Sequence, residues 1–238
     1  MKLRDQVALV TGGGRGIGRA VALAFAREGA RVTLAARTRT QLDAVAAEVR
    51  ESGGRALAVP ADVTQESSVL ELVARTLAEF GRIDILVTAA GAAAFGPVAD
   101  SKLEEWELMM AVNLRGVYLT CRAALAPMIR QRRGTIINVV SVAAKRPIPG
   151  CAAYAASKHG VLGFTRVLAE ELRPQGVRVG ALCPGAVNTP LWDSIPNPPD
   201  RTRMLTPEDV AEAAVLMASL PPRASLEDLT LLPAGGIL

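Results

Sequence analysis

Four apolar residues, Val7-Ala8-Leu9-Val10, run directly into Thr11-Gly12-Gly13-Gly14-Arg15-Gly16-Ile17-Gly18, and a stretch dense in small apolar residues from Ala20 to Ala26 follows before Gly29. The first four read as a short buried strand and the last seven as a helix. The glycines between them let the backbone approach a bound group, and the helix that follows offers free N–H groups and the positive end of its dipole. Strand, turn and helix together make a phosphate cradle. A lone glycine triplet would carry little weight, because glycine also marks structureless turns; here the strand before it and the helix after it decide the reading.

The same alternation continues to the end of the chain. Strands are expected over Arg31–Ala36, Ala56–Pro60, Ile83–Val87, Thr135–Val140, Val177–Leu182 and Leu226–Leu232. Between them lie helices over Thr38–Ser52, with Leu42, Val45, Ala46 and Val49 as a buried stripe, over Gln65–Phe80 and over Ala152–Leu172. Thr206-Pro207-Glu208 opens another, with a cap and a first-turn proline, and Val210, Ala213, Ala214 and Met217 form its apolar face. Ser101, with Glu104 three residues on, reads as the capping box of a long helix running past Trp106, Met109, Met110 and Asn113 to Ala124 or beyond. The expected fold class is α/β: a single-domain, Rossmann-like, doubly wound parallel sheet with helices on both faces. One domain spans residues 1–238, with a cofactor half over about 1–140 and a catalytic and substrate half over about 141–238. No repeat or linker divides it.

Composition fits that architecture. Half of the 238 residues are hydrophobic but only 3% are aromatic, so the core must be built from Ala, Val, Leu and Ile, which suits helices packed closely on a parallel sheet. The net charge of +4 invites a nucleic-acid reading, but the charges are interleaved, and the basic cluster Arg130-Gln131-Arg132-Arg133 falls where a helix ends and its dipole favours cations. Three cysteines make no disulfide framework and point to a reducing compartment. Met1 to Gln6 lacks a signal-peptide core and no apolar run is long enough to span a bilayer, so a soluble, cytoplasmic protein is expected, without membrane or nucleic-acid partners. His159 is the sole histidine, and with scattered cysteines it builds no metal site. Cys151 has no suitably spaced base that would make it a nucleophile.

The chemistry-bearing residues lie in the second half. In Tyr154-Ala155-Ala156-Ser157-Lys158 the phenol and the ammonium stand at i and i+4 on one helix face. A cation there favours phenolate, so Lys158 is expected to lower a pKa that is ordinarily near ~10. Ser141 closes the Thr135–Val140 strand, where its hydroxyl can hold a substrate oxygen. Asn113 interrupts an apolar helical pattern, and a buried amide needs a partner or an ordered water, which makes it a candidate relay member. At the end of the second strand a carboxylate would accept hydrogen bonds from the adenosine ribose of NAD, whereas a cation accommodates the 2′-phosphate of NADP. This chain has Ala36 and then Arg37, with Arg39 nearby and Arg15 in the glycine turn.

Asn113, Ser141, Tyr154 and Lys158, together with the Thr-Gly-x-x-x-Gly-x-Gly turn carrying Gly12, Gly16, Ile17 and Gly18, resemble the short-chain dehydrogenase/reductase family over nearly the whole chain, in its NADP-preferring form. The resemblance implies an Asn-Ser-Tyr-Lys tetrad. In it the tyrosine exchanges a proton with the substrate oxygen and the serine orients that oxygen. The lysine binds the nicotinamide ribose, and the asparagine anchors a water. It further implies NADP(H) held by the glycine turn, by Arg15 and Arg37, by Asp62 and Val63 at the adenine, and by Ala90 and Gly91. Those two end Thr88-Ala89-Ala90-Gly91, where the family usually has Asn-Asn-Ala-Gly. Asp62 at a strand end equally suits a helix cap. Pro184 and Gly185 would embrace the nicotinamide, Val187 would meet its carboxamide through the backbone and Thr189 the phosphate. The small-residue loop Ala92–Asp100 would lie against the cofactor, and the Pro-rich run from Pro190 to Thr206, with Trp192, Pro196, Pro198 and Pro199, would form the substrate lid. Helix-to-helix association into a dimer or tetramer is also implied.

The function expected is NADPH-dependent reduction of a ketone or aldehyde to an alcohol, reversibly. One alternative is a 3-oxoacyl-[acyl-carrier-protein] reductase, favoured by the basic cluster at Arg130–Arg133 as a place for an acyl carrier protein and disfavoured by Glu170, where such reductases often carry a basic residue. Another, of a different class, is a non-catalytic NADP-binding sensor or scaffold.

Overall fold

A computed structural model describes residues 1–195 and 198–237. Seven parallel strands form one sheet in the order β3-β2-β1-β4-β5-β6-β7: β1 Val7–Thr11, β2 Arg31–Ala36, β3 Arg55–Pro60, β4 Ile85–Thr88, β5 Gly134–Val139, β6 Val177–Pro184 and β7 Asp228–Leu231. Alternate residues on each strand face opposite layers. Ala8, Val10, Ile85, Val87, Ile137 and Val139 pack beneath one set of helices: α1 (Gly16–Arg27), α2 (Arg39–Glu51) and α7 (Pro207–Ser219). Leu9, Leu86, Ile136 and Val140 pack beneath the other: α3 (Glu66–Phe80), α5 (Gly116–Gln131) and α6 (Ala152–Leu172). Burial on both faces explains why the strands read as continuous apolar runs.

The chain builds β1 to β3 in one direction, then crosses back to place β4 on the other side of β1. At that switch point the loops leaving the carboxyl ends of β1 and β4 diverge, and α/β sheets bind their ligands in the resulting crevice. Two local devices hold it open. Gly12 has φ +70°, and a Cβ there would come within 2.7 Å of the Ala89 carbonyl and the Ala90 nitrogen at the end of β4. A Cβ on Gly18 would strike the Gly12 carbonyl oxygen at 2.2 Å, so the turn closes on itself only with glycine at both places.

The long helix expected from Ser101 is three pieces: α4 (Leu103–Met109), a π-helical turn over Met110–Arg115, and α5. Ser101 does not cap it. A preceding 3-10 turn over Val98–Asp100 captures its hydroxyl, which donates to the Val98 carbonyl (2.8 Å), and the N-cap falls on Lys102 without a side-chain bond. Asp62 does not cap α3 either. Its carboxylate accepts from the Thr64 N–H (2.9 Å) and hydroxyl (2.8 Å), an Asx turn that ends before α3 starts. Ile83 and Asp84 precede β4, where the buried Asp84 carboxylate accepts from the Val7 N–H (2.9 Å) and from Arg82 Nε (2.8 Å), pinning the start of β1. At the other end of the chain Thr206 does cap α7: its hydroxyl accepts from the Asp209 N–H (3.2 Å) while the Asp209 carboxylate accepts from the Thr206 N–H (2.7 Å).

Candidate active site

The crevice at the carboxyl ends of β1, β4, β5 and β6 is a cleft of about 900 Å³. Its walls bring together Gly12, Arg15, Gly16 and Ile17 from the glycine turn, Arg37 after β2, Asp62 and Val63 after β3, Ala90 and Gly91 after β4, Ser141 after β5, Tyr154 and Lys158 on α6, and Pro184, Gly185, Val187 and Thr189 after β6. Gly18 lies just behind, closing the turn. Asn113 does not line the cleft; it is fully buried one layer back. Of the expected lid, Pro190, Leu191, Trp192, Ile195 and Pro199 line the cleft, while Pro196 lies outside the described residues.

One end of the cleft is cationic and open. Helix α1 starts with Arg15 as its N-cap, without a side-chain bond to its first N–H groups and without an acid in its first turn, which leaves an anion-accepting end. Arg15 and Arg37 are exposed and, among the described residues, engage in no ion pair, whereas Arg39 is taken by Asp43 (2.8 Å) and Arg19 by Glu48 (2.6 Å). The Thr64 N–H bond, helped by the Thr64 hydroxyl and the nearby Arg37 charge, holds the Asp62 carboxyl below its usual range. Thr189 abuts the same turn: a Cβ on Gly16 would come within 3.3 Å of its side chain. A free helix terminus, two uncommitted guanidiniums and an ionised Asp62 are the donor and acceptor set that a phosphate-bearing dinucleotide requires.

The other end carries the acid–base residues. Ser141 Oγ accepts from the Ala143 N–H (3.1 Å), so its own proton is left to donate to an oxygen in the cleft. Lys158 is 4% exposed and its ammonium donates to the Val139 carbonyl (3.0 Å), lying 5.7 Å from the centroid of the Tyr154 ring. Burial brings that ammonium down to about 8. The phenol moves the other way. Burial pushes Tyr154 up to about 12, against the pull of its hydrogen bond with Ser141. The lowering by Lys158 expected from the i, i+4 spacing does not appear: the lysine is committed to a backbone carbonyl, and burial sets the direction.

Behind them, Asn113 sits in the π-helical turn with every polar atom used. Its Oδ1 accepts from the Ala92 N–H (2.8 Å), and its Nδ2 donates to the Ala92 carbonyl (2.9 Å) and to Ser157 Oγ (3.0 Å). Ser157 in turn donates to the Tyr154 carbonyl (2.7 Å). The amide thus ties the loop after β4 to the helix bearing Tyr154. Thr88, where the family usually has asparagine, donates to Asn138 Oδ1 (2.8 Å), and Asn138 donates to Thr165 (2.9 Å), so β4, β5 and α6 are cross-linked beneath the cleft. Burial pushes the Cys151 thiol up, and the exposed His159 ring is bound to the Ala155 carbonyl (2.9 Å) one turn back; neither acts here.

Sequence reasoning missed Phe95. It stands in the small-residue loop after β4, edge-on to Tyr154 with ring centroids 5.6 Å apart, and 5.5 Å from the ring of Trp192. A signal was present: in a chain with four Phe, two Trp and two Tyr, one aromatic residue amid alanines and glycines needs a reason. Gln41 also lines the cleft, on the α2 side, and nothing in its local pattern marked it.

A family model described as short chain dehydrogenase matches residues 6–199. The chain belongs to that family and is an oxidoreductase. It is 40% identical over 242 residues, covering 99% of this chain and 98% of the other, to a 3-oxoacyl-[acyl-carrier-protein] reductase of Synechocystis sp.. Among solved structures, a metagenomic short-chain oxidoreductase in complex with NADP superposes with a TM-score of 0.86 at 37% identity, covering 98% of this chain and 99% of that one. An alcohol dehydrogenase from the archaeon Thermococcus sibiricus, complexed with 5-hydroxy-NADP, superposes with a TM-score of 0.90 at 34% identity, covering 96% and 97%.

Proposed function

We propose that the chain is an NADPH-dependent reductase that converts a ketone or aldehyde to the alcohol, reversibly, with residues 1–140 supplying most of the cofactor site and 141–238 most of the acid–base and substrate site. The observation that carries this reading is the Tyr154 phenol beside the Ser141 hydroxyl and the buried Lys158 ammonium, at the end of a cleft whose far end offers two arginines without an ion pair among the described residues. Arg15 and Arg37 would hold the 2′-phosphate, the α1 N-terminus the pyrophosphate, Asp62 and Val63 the adenine, and Pro184 to Thr189 the nicotinamide side, where the Val187 carbonyl is already taken by Trp192 Nε1 (2.9 Å). When bound, NADPH supplies the hydride. Ser141 donates a hydrogen bond to the carbonyl oxygen and orients it. As the carbon takes hydride, the O–H bond of Tyr154 breaks and its proton passes to that oxygen, giving alcohol and phenolate. Lys158, with a proton made easier to release by burial, stands on the same helix face to resupply it. Asn113, the fourth member of the tetrad, ties the loop after β4 to the helix that carries Tyr154.

The same physical picture supports the remaining expectations. The three cysteines are buried and unpaired, which suits a reducing cytoplasm, and no described helix is long and apolar enough to cross a membrane. Leu103, Trp106 and Tyr118 on α4 and α5 and Val167 on α6 are large exposed apolar residues that association into a dimer or tetramer would cover. A 3-oxoacyl-[acyl-carrier-protein] reductase is the second reading, favoured by the likeness to the Synechocystis protein. Within one copy, however, Arg130 to Arg133 lie at the entry to β5, the end of the sheet opposite Ser141, and Glu170 is bound to Arg173 (2.7 Å). The test is NADPH oxidation by purified protein over a panel of ketones, aldehydes and an acetoacetyl thioester. Tyr154→Phe should lower turnover at least about 100-fold while leaving cofactor affinity nearly unchanged. Equal turnover by the variant would remove the mechanism. Cofactor binding without turnover of any carbonyl would leave a sensor or scaffold.

A further inference from the structure

The substrate end of the cleft differs in kind from the cofactor end. Apart from Tyr154, Ser141 and Lys158, the described residues that line it are apolar, among them Phe95, Trp192, Val142 and Ile148, with Leu108 (49% exposed) and Ile237 (39% exposed) the more exposed of them. Two charged residues close in sequence to lining residues are engaged elsewhere. Arg201 donates to Asp193 (2.7 Å), to Asn188 Oδ1 (2.7 Å) and to the Thr189 carbonyl (3.0 Å), and Lys145 is engaged by Asp228 and by Thr230 (2.6 Å). Arg146 has no ion-pair partner among the described residues but does not line the cleft.

The aromatic pair is also fixed in place. The Trp192 indole N–H is bound to the Val187 carbonyl (2.9 Å), and the Arg201 clasp holds the residues on either side of it. Phe95 meets Tyr154 edge-on, with planes at 82°, so its ring lies against the proposed proton donor. With centroids only 5.5 Å apart, Phe95 and Trp192 leave no slot between them; they form one continuous aromatic wall. A flat ring laid against such a wall gains an offset-stacked or edge-to-face contact that a saturated ring of equal size does not. A carboxylate placed against that wall, away from Lys158, would lose its water without a cation among the described wall residues to replace it.

We infer that the substrate is an uncharged ketone bearing an aryl group on the carbonyl carbon, and that Phe95 and Trp192 are the residues that select the ring. This rests on the reductase reading of the same site. It is tested by binding, in Trp106→Phe protein so that Trp192 is the sole indole, with NADP⁺ in excess so that no hydride is available. Trp192 emission is titrated with methyl phenyl ketone, methyl cyclohexyl ketone and 4-acetylbenzoate. The phenyl ketone should bind about 3- to 10-fold more tightly than the cyclohexyl ketone, and 4-acetylbenzoate more than about 100-fold more weakly than the phenyl ketone. Phe95→Leu, which keeps the site apolar, should erase the phenyl-over-cyclohexyl preference, a ratio that a merely structural role would leave unchanged. Equal affinity for the two rings, or a carboxylate bound as well as the phenyl ketone, overturns the inference. Reduction of other carbonyls while the phenyl ketone leaves Trp192 emission unmoved overturns it too, with the reductase reading intact. Ring-selective binding without reduction of any carbonyl removes the reductase reading and with it the aryl ketone as substrate, leaving Phe95 and Trp192 only as a ring-binding wall.

Discussion

Two residues on one helix face have lost water in opposite senses, and the pH response of the protein follows from them. Tyr154 is pushed up to about 12 and stays a proton donor throughout the neutral range, whereas Lys158 comes down to about 8. The kcat/KM for NADPH, which reports on the free enzyme, should therefore fall as pH rises through about 8, when the ammonium discharges. Stability moves the other way. A lysine with a folded pKa near 8, below its ordinary value near 10.5, leaves the unfolded chain binding more protons between those limits, so stability rises with pH across that window. A thermal midpoint that climbs from pH 8 to 10 while kcat/KM drops separates discharge from unfolding; parallel losses would contradict the assignment. A second residue-scale prediction concerns Thr33, buried in β2 with a hydroxyl that has no partner among the described residues. Thr33→Val keeps the shape and removes the unpaired group, and should raise unfolding free energy by about 1 kcal/mol in a denaturant titration.

At the scale of elements, Arg178 is the clip between β6 and the end of α7. Its guanidinium donates to the carbonyls of Leu220 (2.9 Å) and Ala224 (2.9 Å) and to Thr135 Oγ1 (2.8 Å), satisfying carbonyls at and beyond the end of the helix. Arg178→Ala should cost roughly 2–4 kcal/mol of stability yet leave KM for NADPH unchanged at temperatures where the variant is folded, since none of its hydrogen-bond partners among the described residues lines the cleft. Elements are also where the sequence was most and least readable. Continuous apolar strands and capped helices such as Thr206-Pro207 declare themselves locally, and they fall within a residue or two of the expected bounds. As helix caps, Ser101 and Asp62 mislead for a shared reason. Each has a local polar pattern that suits one partner, while the folded chain supplies a better one: the Val98 carbonyl and the Thr64 N–H. The π-helical turn at Met110–Arg115 leaves the apolar period nearly unaltered, so no sequence pattern announces it, although such turns recur at functional sites.

For the whole molecule, the reversal of strand order between β1 and β4 sets where chemistry can occur, and the succession of strands and helices made that architecture legible before any coordinates. The glycine turn, Ser141, Tyr154 and Lys158 were legible because each requirement is tied to short-range spacing. Phe95 was not, since its role arises from a contact with Trp192 nearly a hundred positions away, and neither was the rise of the Tyr154 pKa, which depends on burial by segments distant in sequence. The claim that joins fold and site is that hydride passes from the nicotinamide to a carbonyl carbon while Tyr154 supplies the proton. The most direct measurement is isotopic: the protein is incubated with a ketone it turns over and NADPH deuterated at C4 on one face or on the other, and the alcohol is analysed by mass spectrometry. The account predicts that the carbinol carbon gains one deuterium from one of the two cofactors and none from the other, and that Tyr154→Phe forms almost no alcohol from either. An alcohol formed by wild-type protein without deuterium from either cofactor, or formed as readily by Tyr154→Phe, would contradict it.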